Sequence, residues 1–249
     1  MPPSGLIITR PQPEADTLSQ RLSSLGIRCW SLPTLTIHAT QPDKAMLALA
    51  AQADRWIFIS ANAVREGWPH LSPYFSPKIV LWAIGAATAR RLADLSAYTI
   101  RHPEDGSDSE ALLRHLDWIH VDGLKTTIVR GQGGREQLRD ELTARGSLVS
   151  YVECYARGKP QRLDDDAYNE ALAARAWINL QSREAALNLW NLSSPQQQTR
   201  LRSCHFLVSH THIATALEPL GLNNVTVLEP GDAGLIRYLE AQWNVPHHE

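Results

Sequence analysis

The chain carries two patterns twice over, and the copies are interleaved. Ile8-Thr9-Arg10 opens a segment that runs through Leu18 and Leu22 to Gly26, and Ile128-Val129-Arg130 opens another through Leu138 and Leu142 to Gly146, with a constant offset of 120 positions. A second pattern follows each: Phe58-Ile59-Ser60 matches Leu180-Gln181-Ser182, and Ala83-Ile84-Gly85 matches Leu207-Val208-Ser209. Leu112-Leu113-Arg114-His115-Leu116 is echoed in the same way by Leu235-Ile236-Arg237-Tyr238-Leu239. Fixed-period similarity restricts the architecture before any local element is assigned. A period this long is no solenoid. It predicts two similar α/β lobes, and a chain of 249 residues is long enough for two domains of ordinary size.

Within each copy a short apolar run leads through a turn into a helical pattern. The spacing predicts strands at Leu6–Thr9, Arg28–Leu32, Thr126–Arg130 and Leu148–Glu153. Helices are predicted from Glu14 to Leu25 and from about Arg135 to Arg145, with Gly26 and Gly146 as their C-terminal caps. The other pattern predicts strands at Trp56–Ile59, Val80–Ile84, Trp177–Leu180 and His205–Val208, with helices starting near Ala61, Ala87, Arg183 and His212. Apolar runs alternating with helices predict parallel sheets covered on both faces. Leu35–His38 and Glu153–Ala156 stand at matching points and can pair as a two-stranded bridge between the lobes. Asp164-Asp165-Asp166 reads as a solvated lead into a helix, and Gln196-Gln197-Gln198 as a loop.

Composition narrows the function classes. The formal charge is −2, so no overall field attracts nucleic acid or acidic lipid, and an anionic ligand must meet locally placed groups. Cys29, Cys154 and Cys204 are widely spaced without CxxC or CxxH, which predicts reduced, buried thiols rather than a zinc site. No apolar run approaches the ~20 residues needed to cross a bilayer, and no signal-peptide pattern opens the chain. A cytoplasmic protein is expected, with no metal.

In parallel α/β sheets ligands bind outside the carboxyl ends of the strands. The turns there contain Arg10, Ser60-Ala61, Gly85, Arg130 to Gly134, Ser182 and Ser209-His210. Arg130-Gly131-Gln132-Gly133-Gly134-Arg135 can present backbone N–H groups to an anion, but it also reads as a plain tight turn, and it is neither the dinucleotide fingerprint nor the Walker sequence. In the copy, Arg10-Pro11-Gln12-Pro13 has prolines instead, so Arg10 must act through its guanidinium or stand in a surface ion pair. Ser60, Ser182 and Ser209 read as helix caps, and none lies in a G-x-S-x-G elbow. The histidines show no metal-binding spacing, and only His210 sits where a ligand contact is expected. Tyr155 reads as a packed aromatic in the bridge or as a hydrogen-bond donor at the mouth of a cleft.

These segments resemble the uroporphyrinogen-III synthase family. The resemblance is carried by Ile7-Ile8-Thr9-Arg10-Pro11, Phe58–Val64, Ala83–Ala89, Ile128–Arg135, Tyr151–Tyr155 and Val208-Ser209 with Ile213-Ala214, so it covers nearly the whole chain. It implies two lobes, each a parallel β-sheet flanked by helices, joined by a two-stranded β-ladder. Lobe one would be residues 1–36 plus 158–249 and lobe two residues 39–154, with linker strands near 36–40 and 154–159. It also implies a reaction without a cofactor: hydroxymethylbilane, a linear polycarboxylate tetrapyrrole, loses water and closes with its last ring inverted, through a spiro intermediate. Tyr155 would be the catalytic residue. Arg10, Ser60, Ala61, Gly85, Arg130, Gly131, Gly133, Ser182, Ser209 and His210 would bind substrate, in a monomer with no nucleic-acid or membrane partner. Two rivals share the architecture: a non-catalytic bilobal sensor, and a nucleotide-dependent enzyme using the Gly131–Gly134 turn.

Overall fold

The computed structural model describes residues 4–134 and 136–243, so Arg135 and His247-His248 lie outside the described residues. The chain divides into two compact units, Met1–Thr36 with Gly158–Glu249, and Ile37–Arg157. The first piece holds β1 (Leu6–Ile8), α1 (Glu14–Ser23) and β2 (Cys29–Ser31), and β3 (Thr36–Ala39) crosses into the second unit. There follow α2 (Lys44–Ala50), β4 (Arg55–Phe58), α3 (Ala61–Leu71), β5 (Val80–Ala83), α4 (Ala86–Ala93) and β6 (Ile100–Arg101). The same unit continues with α5 (Ser109–Arg114), β7 (Lys125–Gly131), α6 (Gln137–Ala144) and β8 (Leu148–Gly158). The chain then returns with α7 (Asp165–Ala173), β9 (Trp177–Leu180), α8 (Arg183–Leu192) and α9 (Pro195–Leu201). It ends with β10 (Phe206–Val208), α10 (Thr211–Leu217), β11 (Val225–Val227) and α11 (Asp232–Trp243).

The discontinuous unit has a sheet ordered β11-β10-β9-β1-β2, all parallel. The continuous unit is ordered β3-β8-β7-β4-β5-β6, with parallel pairing from β8 through β6. Matching β7 to β1, β8 to β2 and β4 to β9 makes the two orders identical apart from β3, the extra edge strand of the continuous unit. The second unit is therefore a circular permutation of the first, which is why its repeats are interleaved along the chain.

Burial on both faces explains the unbroken apolar runs. In β1, Ile7 joins a core with Ile178, Phe206 and Leu189, while Leu6 and Ile8 point into another with Leu18, Leu22 and Leu235. In β4, Trp56 and Phe58 face one core and Ile57 the other. The repeat persists down to single hydrogen bonds. Ile27 N–H donates to Leu22 O and Gly26 N–H to Ser23 O; 120 residues on, Ser147 N–H donates to Leu142 O and Gly146 N–H to Thr143 O, each at 2.9–3.0 Å. This helix ending needs the left-handed conformation that Gly26 and Gly146 adopt, with φ of 75° and 86°.

Three expectations need correction. Gln196-Gln197-Gln198 is helical, inside α9, because Ser194 and Gln197 form a reciprocal capping box and Pro195 occupies the first turn. Ser209 does not cap α10; the cap position is His210, which makes no side-chain cap bond. The expected strand at Leu148–Glu153 and the expected bridge segment at Glu153–Ala156 are one continuous strand, β8, which is the neighbour of β3.

One irregularity in β8 matters for the site. Val129 pairs with Val152 and Arg130 with Glu153, but Gly131 pairs with Tyr155, so Cys154 is an extra residue. A bulge of this kind re-aims the side chains beyond it. Strict alternation would put Tyr155 on the face of Tyr151 and Glu153. Instead it shares a core with Val152 and Cys154, on the side of β4 and α3.

Candidate active site

At the carboxyl end of β4 the chain turns into α3 through Ser60, whose extended backbone and short hydroxyl suit a helix cap. Ala63 N–H donates to Ser60 Oγ at 3.0 Å, and Tyr155 Oη lies 3.1 Å from the same oxygen. Ala61 is the first residue of α3. Tyr155 is only 1% exposed, whereas Ser60 is half-buried. The Tyr155 ring lies against Gly131, where a Cβ would come within 2.5 Å of ring carbon Cε2, so no larger residue fits without moving the ring. Gly85 precedes α4 on the neighbouring strand end, and a Cβ there would come within 2.5 Å of Ser107 Cβ.

The Arg130 side chain is 3% exposed and engaged within the unit. Its Nε donates to Gly131 O at 3.1 Å, one Nη donates to Glu136 Oε1 at 3.0 Å, and the guanidinium lies 4.5 Å over the Tyr151 ring. Tyr151 O–H donates to Glu136 Oε2 at 2.5 Å, and Arg139 completes the cluster at 3.0 Å from the same oxygen. The Tyr151 hydroxyl, followed by Arg130, holds the Glu136 carboxyl below the usual carboxylate range. Burial, and then the bond to Glu136, push the Tyr151 phenol up to about 12. In the glycine turn, Gly133 N–H donates to Glu153 Oε1 at 3.3 Å. Beside these groups lies a cavity of about 310 Å³, lined among others by Ile59, Ile84, Asp108, Arg130, Gly133 and Tyr151. It occupies the strand-order switch between β7 and β4, the usual ligand position in such sheets.

The corresponding edge of the discontinuous unit is held differently. Arg10, with a side chain 10% exposed, pairs through one Nη with Asp232 at 2.9 Å, at the start of α11. Its Nε and other Nη are buried with no hydrogen-bond partner among the described residues. Ser182 caps α8 by accepting from Ala185 N–H at 3.0 Å, the counterpart of Ser60. Ser209 is half-buried, and the exposed His210 ring stacks on His212 with centroids 5.3 Å apart. Burial pushes the Cys154 thiol up to about 12 and those of Cys29 and Cys204 to about 11, so none is an active nucleophile near neutral pH. Among the described residues, no group of three or more His, Cys, Asp or Glu residues is arranged to hold a metal ion, and no helix is long and apolar enough to cross a membrane.

Ser60, Gly131 and Tyr155 thus lie together, whereas the Arg130 side chain turns to Tyr151 and Glu136, and Gly133 meets Glu153. Residue-type arguments missed Glu136, Tyr151, Glu153 and Asp108. The signal for two of them was the alternation of Tyr151 and Glu153 along a strand otherwise facing the core.

Residues 16–237 match the family model described as uroporphyrinogen-III synthase HemD. The chain belongs to the uroporphyrinogen-III synthase family. It is 33% identical to the uroporphyrinogen-III synthase of Salmonella typhimurium over 259 residues, spanning 95% of this chain and all of the relative, and 32% identical to that of Escherichia coli with the same coverage. In fold it is similar to uroporphyrinogen-III synthetase of Helicobacter pylori (TM-score 0.60, 14% identity, 95% of this chain and 99% of the other). It is likewise similar to a mutant uroporphyrinogen III synthase from Thermus thermophilus (TM-score 0.57, 15% identity, 96% and 99%). Membership in a synthase family favours an enzyme that turns over a tetrapyrrole against a non-catalytic sensor of the same architecture.

Proposed function

We propose that this uroporphyrinogen-III synthase family member cyclises hydroxymethylbilane in the cytoplasm as a monomer, and that Ser60 and Tyr155 assist departure of the hydroxyl. The observation that carries the site assignment is the Ser60–Tyr155 hydrogen bond at the β7/β4 switch point. A serine hydroxyl can accept twice and donate once. With Ala63 N–H and Tyr155 O–H both donating to Ser60 Oγ, the serine proton is left to point outward. The exposures support this direction, since Ser60 can meet a ligand and Tyr155 is covered.

In the reaction the C–O bond of the terminal hydroxymethyl group breaks, and the electron-rich pyrrole supplies the electrons, leaving an azafulvenium cation. The departing oxygen gains negative charge, which a donated hydrogen bond stabilises, and it leaves as water after taking a proton. The last ring attacks the cation through its substituted carbon to form the spiro intermediate. Fragmentation and reclosure, with loss of the proton at the new junction, give the inverted macrocycle. Positioning a flexible polycarboxylate is the larger task, and it falls to backbone N–H groups of the turns at the strand ends together with Ser182 and Arg10. Three unpaired cysteines suit a reducing compartment.

The test is incubation of purified protein with fresh hydroxymethylbilane, then oxidation and chromatographic separation of the porphyrin isomers. The inverted isomer, formed faster than in a blank, is the expected product. Only the uninverted isomer at the blank rate would overturn the assignment.

A further inference from the structure

The glycine turn already holds a carboxylate of the protein's own. Gly133 N–H donates to Glu153 Oε1, and Arg130 Nε lies 3.9 Å from the same oxygen. We infer that Glu153 occupies a carboxylate subsite and must leave it for a substrate carboxylate to bind, so that Glu153 sets substrate affinity by internal competition. The inference rests on the reading above, in which a polycarboxylate approaches this edge.

Geometry separates Glu153 from the other acid at the turn. Glu136 accepts from Tyr151 at 2.5 Å and is 3.0 Å from nitrogen atoms of both Arg130 and Arg139, a set of short, charge-assisted contacts that fixes the turn. Glu153 has one long hydrogen bond, beyond the usual N–H···O range, and an ion-pair distance near its limit. Its side chain is 40% exposed, so the released carboxylate can turn into water at little cost. Gly133 is itself exposed, so the N–H that Glu153 vacates is open to another carboxylate. Glu136 is the fixed part of the turn and Glu153 the exchangeable one. Because Glu153 lies on β8, opposite Arg130 in register, its reach to Gly133 is set by the sheet rather than by a loose loop.

A competitor stabilises the free enzyme alone, so removing it lowers KM and raises kcat/KM without raising kcat. For Glu153→Ala, KM for hydroxymethylbilane should fall by about 3- to 10-fold, the worth of one weak hydrogen bond with partial charge, while kcat stays equal or falls through slower product release. Glu153→Gln keeps a neutral acceptor of the same shape and should fall between wild type and Glu153→Ala. It also serves if the alanine variant folds poorly. As a binding readout, the Gly133 amide resonance should shift on titration with uroporphyrin III, the stable oxidised product, at lower concentration in Glu153→Ala than in wild type. A KM that is unchanged or raised in both variants would overturn the competition. Equal KM values for the glutamine and alanine variants would assign the effect to charge alone and overturn it as well. If the wild-type chain forms no inverted isomer, the functional reading fails and takes this inference with it; normal turnover with an unchanged KM sinks the inference only.

Discussion

Replacing Tyr155 by phenylalanine removes the hydroxyl bonded to Ser60 and leaves the ring packed over Gly131. The lost group acts on a developing charge, so kcat should fall by about 10- to 100-fold with KM changed much less. The product should remain the inverted isomer, because inversion depends on how the whole substrate is held; kinetics with isomer analysis checks both statements, and full activity would make Tyr155 a packing residue. Glu136 carries a pH signature. Its folded-state carboxyl titrates below the ordinary range because of Tyr151 and Arg130, so its stabilisation is present above ordinary carboxylate pKa values and is lost as pH falls through the lowered one. Urea unfolding should therefore show wild type more stable than Glu136→Gln near neutral pH, with the difference vanishing in acid. A difference independent of pH would mean that the carboxylate charge is not the stabilising feature.

Among the elements, α3 and α8 begin alike, with Ser60 and Ser182 each accepting from the N–H three residues on. Ser182→Ala should cost the cap, about 1 kcal/mol by denaturant unfolding, and raise KM with kcat little changed. Ser60→Ala should cost a similar amount of stability and, in addition, most of the turnover, since Tyr155 loses its partner. Equal kcat in the two variants would remove Ser60 from the chemistry. That both serines cap helices was legible in the sequence, as were the helix-ending glycines, because a cap or a left-handed turn depends on residues within a few positions. Gln196–Gln198 went astray for the opposite reason: three glutamines carry no periodicity, and the local cue, Ser194-Pro195 with Gln197, lay in polar residues. The surroundings of Tyr155 were not legible. A one-residue bulge at Cys154 decides which face the tyrosine occupies, and a bulge in a parallel pair leaves no mark on an apolar pattern. The ion-pair partners of Arg10 and Arg130 were hidden similarly, since Asp232 is far away in the chain and Glu136 follows a turn whose path the residue types do not determine.

For the molecule as a whole, the parallel cores and the permuted strand orders give the units different autonomy. Residues 37–157 are one continuous stretch with a core on each face of its sheet. Expressed alone, they should fold and unfold cooperatively in urea, followed by circular dichroism. Residues 158–249 alone should not, because they lack β1, which lies between β9 and β2. An unfolded 37–157 fragment, or a stable 158–249 fragment, would contradict this. Interleaved repeats predict a division between two pieces and one, since only a permuted copy places unlike segments next to each other.

The place of β1 inside its sheet also sets an order of events during synthesis. Leu6, Ile7 and Ile8, all fully buried in the finished protein, leave the ribosome long before β9; Thr9 and its partner Asn179 are 170 residues apart. At translation speeds of 5–20 residues per second the wait is roughly 10–30 seconds. Over that interval the continuous unit can emerge and fold, while β1, with only β2 beside it, keeps its β9 edge unpaired. The nascent chain therefore presents a sticky segment to holding chaperones for most of its time on the ribosome, and a fusion partner or tag placed before Gly5 would act on that waiting strand rather than on the finished fold.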